Sequence, residues 1–297
     1  MNTVQYNNHD NEYTVIKGVK IILDHTSERL KILDYKMISD NMVRDMIKLA
    51  RYEGFGKIIS NCRTAHLEPF IGNGFVIEGI INGFFQGEDA FCISCFTDPQ
   101  RQASPQKSQA DSVLYQCMNY PKSSLPQDKH QYKIRPAKAR DIPEMIELFS
   151  AVFESYPSPV FNEDYLQKAM NEHVLFKVAE EDGKIISIAS ADMDKLNLNA
   201  EITDCATYPE HRGKGILANI IDSLEADLRD QGFCMAYSLA RAINPGINKA
   251  LSRLEYKYGG RLLNNCHICG GFEDMNIWSK NLKTNDYNEA KICPPRF

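Results

Sequence analysis

Apolar residues in the second half of this chain alternate between two spacings, and the switches mark its elements. Ile142, Met145, Ile146, Phe149 and Phe153 step by three and four, which predicts a helix behind a strand at 132–136. A loop and a second helix follow over 156–172. Segments 174–179 and 184–191 flank the turn Glu181-Asp-Gly183 and read as a hairpin. Ala200-Glu-Ile-Thr-Asp-Cys-Ala-Thr207 alternates as a strand, and Leu217, Ile220, Ile221, Leu224 and Leu228 then form a helical stripe. A strand at 234–240 leads to a helix over 245–258, with Ile247, Leu251, Leu254 and Tyr258 on one face. Asn244 is its N-cap and Pro245 its first residue. Gly259-Gly260 is expected to end that helix, and strands at 261–268 and 275–280 close the unit. The order predicts an α/β domain with a mixed sheet over residues 131–284.

Residues 1–97 predict a smaller α/β domain. Strands are expected at 19–23, 57–59 and 90–96, with a helix through Val43, Met46, Ile47 and Ala50 and a shorter one over 65–71. Helix, strand, helix and then Gly74-Phe-Val-Ile-Glu78 echo the latter part of the larger domain, as a degenerate half of it. Residues 98–130 are rich in Gln, Ser, Lys and Pro and read as a flexible linker.

A chain of 297 residues with 43% apolar content is long enough for two cores. Its net charge of −5 argues against a nucleic-acid binder and suits a cationic small molecule. No apolar run reaches membrane-spanning length and no signal-peptide core opens the chain, so a cytoplasmic protein is expected, without a membrane partner. Nine cysteines argue against a disulfide framework in that compartment. Cys92-x-x-Cys95 and Cys266-x-x-Cys269 fall in or beside strands, where residues three apart face opposite sides. They are read as free thiols rather than a shared zinc site, and no metal is expected.

The chemistry concentrates in Tyr208-Pro-Glu-His-Arg-Gly-Lys-Gly215. A strand, a Gly-containing turn and a helix N-terminus aim several backbone N–H groups one way, and the helix dipole adds partial positive charge. Arg212 and Lys214 bring two full charges, so a diphosphate would bind here. A Walker loop is excluded because Pro209 and Gly215 occupy its Gly and Ser/Thr positions, and the Rossmann fingerprint lacks its third glycine. Arg212-Gly213-Lys214-Gly215-Ile216-Leu217 instead resembles the coenzyme A pyrophosphate loop of the GCN5-related N-acetyltransferases (GNAT). Leu217 departs from the Gly or Ala usual at that place. The order of elements over 131–282 is also similar to that superfamily, which implies its mixed-sheet acyl-CoA N-acyltransferase fold.

Glu201-Ile-Thr-Asp-Cys-Ala-Thr207, Tyr237-Ser-Leu-Ala-Arg-Ala242, Gly260-Arg-Leu-Leu-Asn-Asn265, Gly270-Gly-Phe-Glu-Asp-Met-Asn-Ile-Trp278 and Ser155-Tyr-Pro-Ser-Pro-Val-Phe161 narrow the resemblance to the β-lysine N-acetyltransferases. It implies a two-domain enzyme that uses acetyl-CoA as co-substrate to convert β-lysine to Nε-acetyl-β-lysine, a compatible solute. Acetylation of another diamine, a polyamine or a protein lysine remains an alternative, as does a non-catalytic acyl-CoA sensor. A homodimer is allowed.

An alkylammonium has a pKa near 10.4, so only about one amine in a thousand is nucleophilic at neutral pH and a base is useful. Glu201 is the candidate, in the Ala-Glu-Ile context that carries the base in the histone-modifying branch of the superfamily. Asp204 is the competitor, and otherwise a substrate contact. Backbone donors around Cys205, Ala206 and Thr207 are expected where the superfamily sheet splays. Asn248 matches an Asn that contacts the cofactor. The family's thiolate-protonating Tyr would fall on Glu255, with Tyr256 adjacent as the substitute. For the acceptor, Arg241 is expected to hold the carboxylate, Glu273 the second ammonium, and Tyr156 to line the site.

Overall fold

The computed structural model describes residues 11–119 and 132–283. The chain opens with β1 (Glu12–Ile16), β2 (Val19–Asp24) and β3 (Arg29–Asp34), followed by α1 (Asp40–Tyr52) and β4 (Lys57–Cys62). Next come α2 (Leu67–Ile71), β5 (Val76–Phe85), β6 (Glu88–Phe96) and α3 (Lys107–Met118). The second part runs β7 (Tyr132–Pro136), α4 (Ile142–Val152), α5 (Glu163–Glu172), β8 (Val174–Glu181), β9 (Lys184–Asp194) and β10 (Asn199–Thr207). It finishes with α6 (Ile216–Asp230), β11 (Met235–Arg241), α7 (Pro245–Arg253), β12 (Lys257–Ile268) and β13 (Gly271–Asn281).

All strands of the described residues belong to one 13-stranded sheet, in the order β1-β2-β3-β4-β6-β5-β12-β13-β11-β10-β9-β8-β7. The order repeats by reflection about the β5–β12 junction. In the first half β2 and β3 are antiparallel, β3 and β4 parallel, β4 and β6 antiparallel, and β5–β6 a hairpin. In the second half β9 and β10, β10 and β11, β11 and β13, and β12–β13 repeat those relations in turn. Each parallel crossover carries one long helix, α1 or α6, and each helix exit is closed alike: Phe55 N–H donates to Ala50 O at 2.8 Å, and Phe233 N–H to Leu228 O at 2.9 Å. The chain is thus two topological copies joined edge to edge, with β7 added at the far end.

The junction explains a glycine pair that reads from sequence as a helix stop. α7 ends earlier, at Arg253, and Gly259 and Gly260 lie inside β12. Gly260 sits opposite Gly79 of β5. A Cβ on Gly259 would lie 2.0 Å from Ile80 O, and one on Gly260 2.4 Å from Glu78 O. Gly260 also has φ +141. Only glycine lets the two half-sheets approach this closely.

Charged side chains secure the same seam. Lys57 Nζ donates to Leu263 O at 2.8 Å, Arg101 to Asn264 O at 2.8 Å, and Arg29 to Asn265 O. Three cations of the first half therefore cap three consecutive carbonyls at the β12 irregularity between Leu262 and Cys266. Lys57 pairs with Glu78 at 2.7 Å and Arg29 with Asp24 at 2.7 Å, all four side chains buried. Breaking such a pair from one side typically costs 3–5 kcal/mol.

The stretch expected to be a flexible linker is in part structured. Arg101, in a 3₁₀ turn, is buried, and α3 buries Ala110, Val113 and Cys117. Ser252 of α7 donates to Cys117 O at 2.8 Å, and Arg261 pairs with Asp111 at 2.6 Å. Its polar composition hid a narrow apolar stripe one residue wide per turn. Residues 120–130 of that segment lie outside the described residues.

Around the second half-sheet, α6 and α7 pack on one face, with Ile220, Ile221, Leu224 and Leu251 against Ala200, Ile202 and Ala236. Helices α4 and α5 pack on the other, with Met145, Phe149 and Leu166 against Phe176, Val178 and Ile188. The second face is the one that matters for the site.

Candidate active site

β10 and β11 pair over only three positions, Asn199–Met235, Ala200–Ala236 and Glu201–Tyr237. Both strands continue, to Thr207 and Arg241, without pairing with each other. The divergence has a local cause: Asp204 adopts φ 47, and the β9–β10 register shifts between Thr203 and Ala206. This bulge turns β10 away and opens a gap between parallel strands. Cys205, Ala206 and Thr207 border that gap. The Thr207 hydroxyl lies 2.7 Å from Ser187 Oγ, and its carbonyl accepts from Arg212 Nε at 3.1 Å.

Beyond the gap, the basic turn enters α6. Gly213 has φ 78 and Gly215, the N-cap of α6, φ 81, both in the left-handed region that glycine enters without strain. No internal hydrogen bond engages the N–H groups of Gly213, Lys214, Gly215 or Ile216 among the described residues. Arg212 and Lys214 are exposed, while Ile216 is buried and Leu217 packs half-buried on the core. Leu217 thus clears the loop by turning inward. Free N–H groups, a helix N-terminus and two exposed cations fit a diphosphate.

Glu201 lies at the last pair before the strands part. Tyr237 donates to its Oε2 at 3.2 Å, and Asp192 of β9 is its cross-strand neighbour. Burial first, and then the Asp192 carboxylate, push the Glu201 pKa up to about 7. A carboxyl so poised is ionised in part at neutral pH and basic enough to accept a proton. Asp204 is buried and accepts from Ser190 Oγ at 2.7 Å, and burial pushes its pKa up to about 6. Its Oδ1 is enclosed without a hydrogen-bond partner among the described residues.

In front of Glu201 the sheet wraps a cavity of about 930 Å³. One wall is Glu201, Thr203, Tyr237 and Asp192. The opposite wall comes from the first half, with Tyr13, Arg29 and Lys31 on β1 and β3, and the α4–α5 loop roofs it with Tyr156 to Pro159. Tyr156 packs on Phe153 with ring centroids 4.5 Å apart. Tips of the two halves also touch across the cavity: Asn199 Nδ2 donates to Phe84 O at 2.8 Å and Gln86 Nε2 to Leu196 O at 2.7 Å.

Several residues expected at the site lie elsewhere. Tyr256 is a core residue; its hydroxyl is enclosed, and its ring sits 5.6 Å from Lys280 Nζ, next to Glu225. Asn248 is fully buried with its amide saturated: Nδ2 donates to Arg241 O and Asn244 O at 2.9 and 2.7 Å, and Oδ1 accepts from Asn276 and Trp278, each at 2.9 Å. It ties α7 to β13, with no valence left for a cofactor. Arg241 was expected on the substrate carboxylate and Glu273 on the second ammonium, but they pair with each other, Nε to Oε2 at 2.9 Å. Strands β11 and β13 are antiparallel neighbours, which sequence spacing alone cannot reveal.

Asp192, Tyr237 and Lys31 escaped the sequence reading. Asp192 had a usable signal, since Asp192-Met-Asp194 ends an apolar strand with two acids on one face. Lys31 had none, because charges within Arg29-Leu-Lys-Ile-Leu-Asp34 disguise the strand itself.

A family model for the GNAT acetyltransferase domain matches residues 133–251. The β-lysine N(6)-acetyltransferase of Methanosarcina mazei is 38% identical over 255 residues, 79% of this chain and 94% of that protein. N-acetyltransferase YodP of Bacillus subtilis is 31% identical over 268 residues, 89% of this chain and 97% of its own. The β-lysine N(6)-acetyltransferase of Methanococcus maripaludis is 28% identical over 264 residues, 88% of this chain and 95% of that one. Splayed strands, a basic turn at a helix start and these full-length relatives make the protein an N-acetyltransferase. The chain belongs to the GNAT family, in the branch that holds those β-lysine N(6)-acetyltransferases.

Proposed function

We propose that the protein transfers acetyl from acetyl-CoA to the distal amine of β-lysine, giving Nε-acetyl-β-lysine. The observation that carries this is Glu201, poised near neutrality where the β10–β11 gap meets a charged cavity. Two relatives spanning most of the chain carry that substrate in their names.

The fit assigns each region a task. The turn at 212–216 holds the diphosphate through backbone N–H groups, Arg212 and Lys214. The gap admits the pantetheine arm, and backbone donors at 205–207 face the thioester oxygen. Bound acetyl-CoA supplies the activated acyl group. Glu201 takes a proton from the incoming ammonium, directly or through one water, and Tyr237 steadies the carboxylate. Asp192 raises the basicity of Glu201 and strengthens the pull on a cation. Tyr156 confines the acceptor from above.

No described helix is long and apolar enough to cross a membrane. The proposal includes a cytoplasmic location and a small-molecule partner, with monomer or homodimer to be separated by light scattering. A thiol-release assay with acetyl-CoA tests the activity against β-lysine, lysine, spermidine and a lysine peptide. β-Lysine is expected to lead lysine by at least about tenfold in kcat/KM. Spermidine or the peptide as the better acceptor would overturn the reading.

A further inference from the structure

The cavity in front of Glu201 is charged unevenly. Three of its acids, Glu201, Asp192 and Asp194, stand on the wall built by β9 and β10, Glu172 ends α5, and Asp24 on β2 is already paired with Arg29. Its cations come from elsewhere. Arg29 is already engaged by Asp24 and by Asn265 O, and Lys168 of α5 is exposed at the mouth. Lys31 is different: it is half-buried on β3, lines the cavity, and has no ion pair or hydrogen bond among the described residues. A confined ammonium without a counter-ion is unfavourable, since desolvation of a charge is offset only by a partner. Burial first, and then the neighbouring Arg29, push its pKa down, while Asp24 beside it on β2 and Glu201 across the cavity push it up. Its charge is therefore felt across the cavity at the candidate base.

We infer that Lys31, contributed by the N-terminal half, is the carboxylate anchor that sets acceptor specificity. The inference rests on the amino-acid acceptor proposed above. A ligand with an amine at one end and a carboxylate at the other matches the wall-to-wall polarity: its amine meets Glu201, and its carboxylate meets Lys31. This also gives the first half-sheet a task. It carries no basic turn of its own, but it closes the acceptor site and reads the end of the substrate that does not react.

The test compares β-lysine with pentane-1,4-diamine, the same molecule without its carboxyl group. Wild-type enzyme should favour β-lysine by at least about tenfold in kcat/KM. Lys31→Met should raise KM for β-lysine at least about tenfold with kcat changed by less than about threefold. It should leave pentane-1,4-diamine and the KM for acetyl-CoA unaltered, so the preference collapses. Lys31→Arg should keep most of the preference, because it keeps the charge. If Lys31→Met does not fold, Lys31→Gln gives the same readout with a polar head in place. A wild-type preference for β-lysine that survives loss of the Lys31 charge overturns this inference and leaves the acceptor reading standing. A wild-type preference for pentane-1,4-diamine overturns both.

Discussion

The two halves of the sheet share a strand order but differ at the strand-to-helix turn. In the C-terminal half β10 bulges at Asp204, parts from β11, and enters α6 through two glycines at positive φ. In the N-terminal half β3 and β4 pair over four positions, Arg29–Lys57 to Ile32–Ser60. The chain then enters α1 through Ser39, whose Oγ accepts from Met42 N–H at 3.4 Å. A side chain caps α1, whereas bare backbone N–H groups begin α6, the helix proposed above to hold the diphosphate. The interiors differ in the same sense: Lys57 opens β4 where Met235 opens β11. One copy keeps the chemistry, and the other spends its charges on the seam and on the cavity wall. Topology can therefore be repeated without repeating function, because the function resides in a bulge, a gap and a loop.

The largest effect expected from disturbing this contrast is at Glu201. Glu201→Gln should lower turnover at pH 7 by about 10²–10⁴-fold with acetyl-CoA affinity nearly unchanged. With the wild-type pKa at about 7, kcat/KM should climb through neutrality as the carboxyl ionises and level off above it. Wild-type turnover in the variant at pH 7 would move the base to Asp204 or to a water chain.

Next in size is the seam. Lys57→Ala strands the Glu78 carboxylate in the interior and should cost about 3–5 kcal/mol in urea unfolding. Replacing Lys57 and Glu78 together by apolar residues should recover much of the loss. Equal damage from single and double variants would mean that the Leu263 carbonyl, rather than the ion pair, needs Lys57.

Ligand-linked stability separates the two turns. Acetyl-CoA at about 100 times its Kd should stabilise wild type by about 2.7 kcal/mol. Gly213→Val, strained at φ 78, should lose most of that shift. Ser39→Ala should keep it while costing only about 1 kcal/mol of intrinsic stability. A melting curve insensitive to millimolar acetyl-CoA in the wild type would remove the loop assignment.

A smaller effect links stability to pH. The folded-state pKa of Glu201 is raised to about 7 from an ordinary 4.5. Below pH 4.5 the group is neutral in both states and adds no penalty. Between about pH 4.5 and 7 the unfolded chain gives up this proton while the folded one keeps it, so stability falls across that window and the full penalty stands above 7. Glu201→Gln should therefore be more stable than wild type at pH 8, on the order of 2 kcal/mol, and indistinguishable from it near pH 4. A variant less stable at pH 8 would show that the Tyr237 bond outweighs the burial.

What the sequence determined by itself is local. Apolar periodicity placed α1, α4, α6 and the β8–β9 hairpin. The turn at 212–215 was legible because its glycines, basic residues and following helix are contiguous. The place of Glu201 on β10 was legible through its strand context. Local patterns also misled: Gly259-Gly260 looks like a helix stop, and 107–118 looks like a linker. Only the tertiary structure decided who meets whom across the sheet. Arg241 finds Glu273 because β11 and β13 are neighbours, Asn248 is consumed by Trp278 and Asn276, and Tyr256 turns into the core. Asp192 meets Glu201 across the β9–β10 pair, and Lys31 faces it only because two half-sheets join at Gly79 and Gly260 and curve around one cavity. Backbone hydrogen bonding and periodicity act over a few residues and can be read in order. Charge pairing and desolvation act through space, between residues 170 positions apart, and become definite only when the sheet has closed.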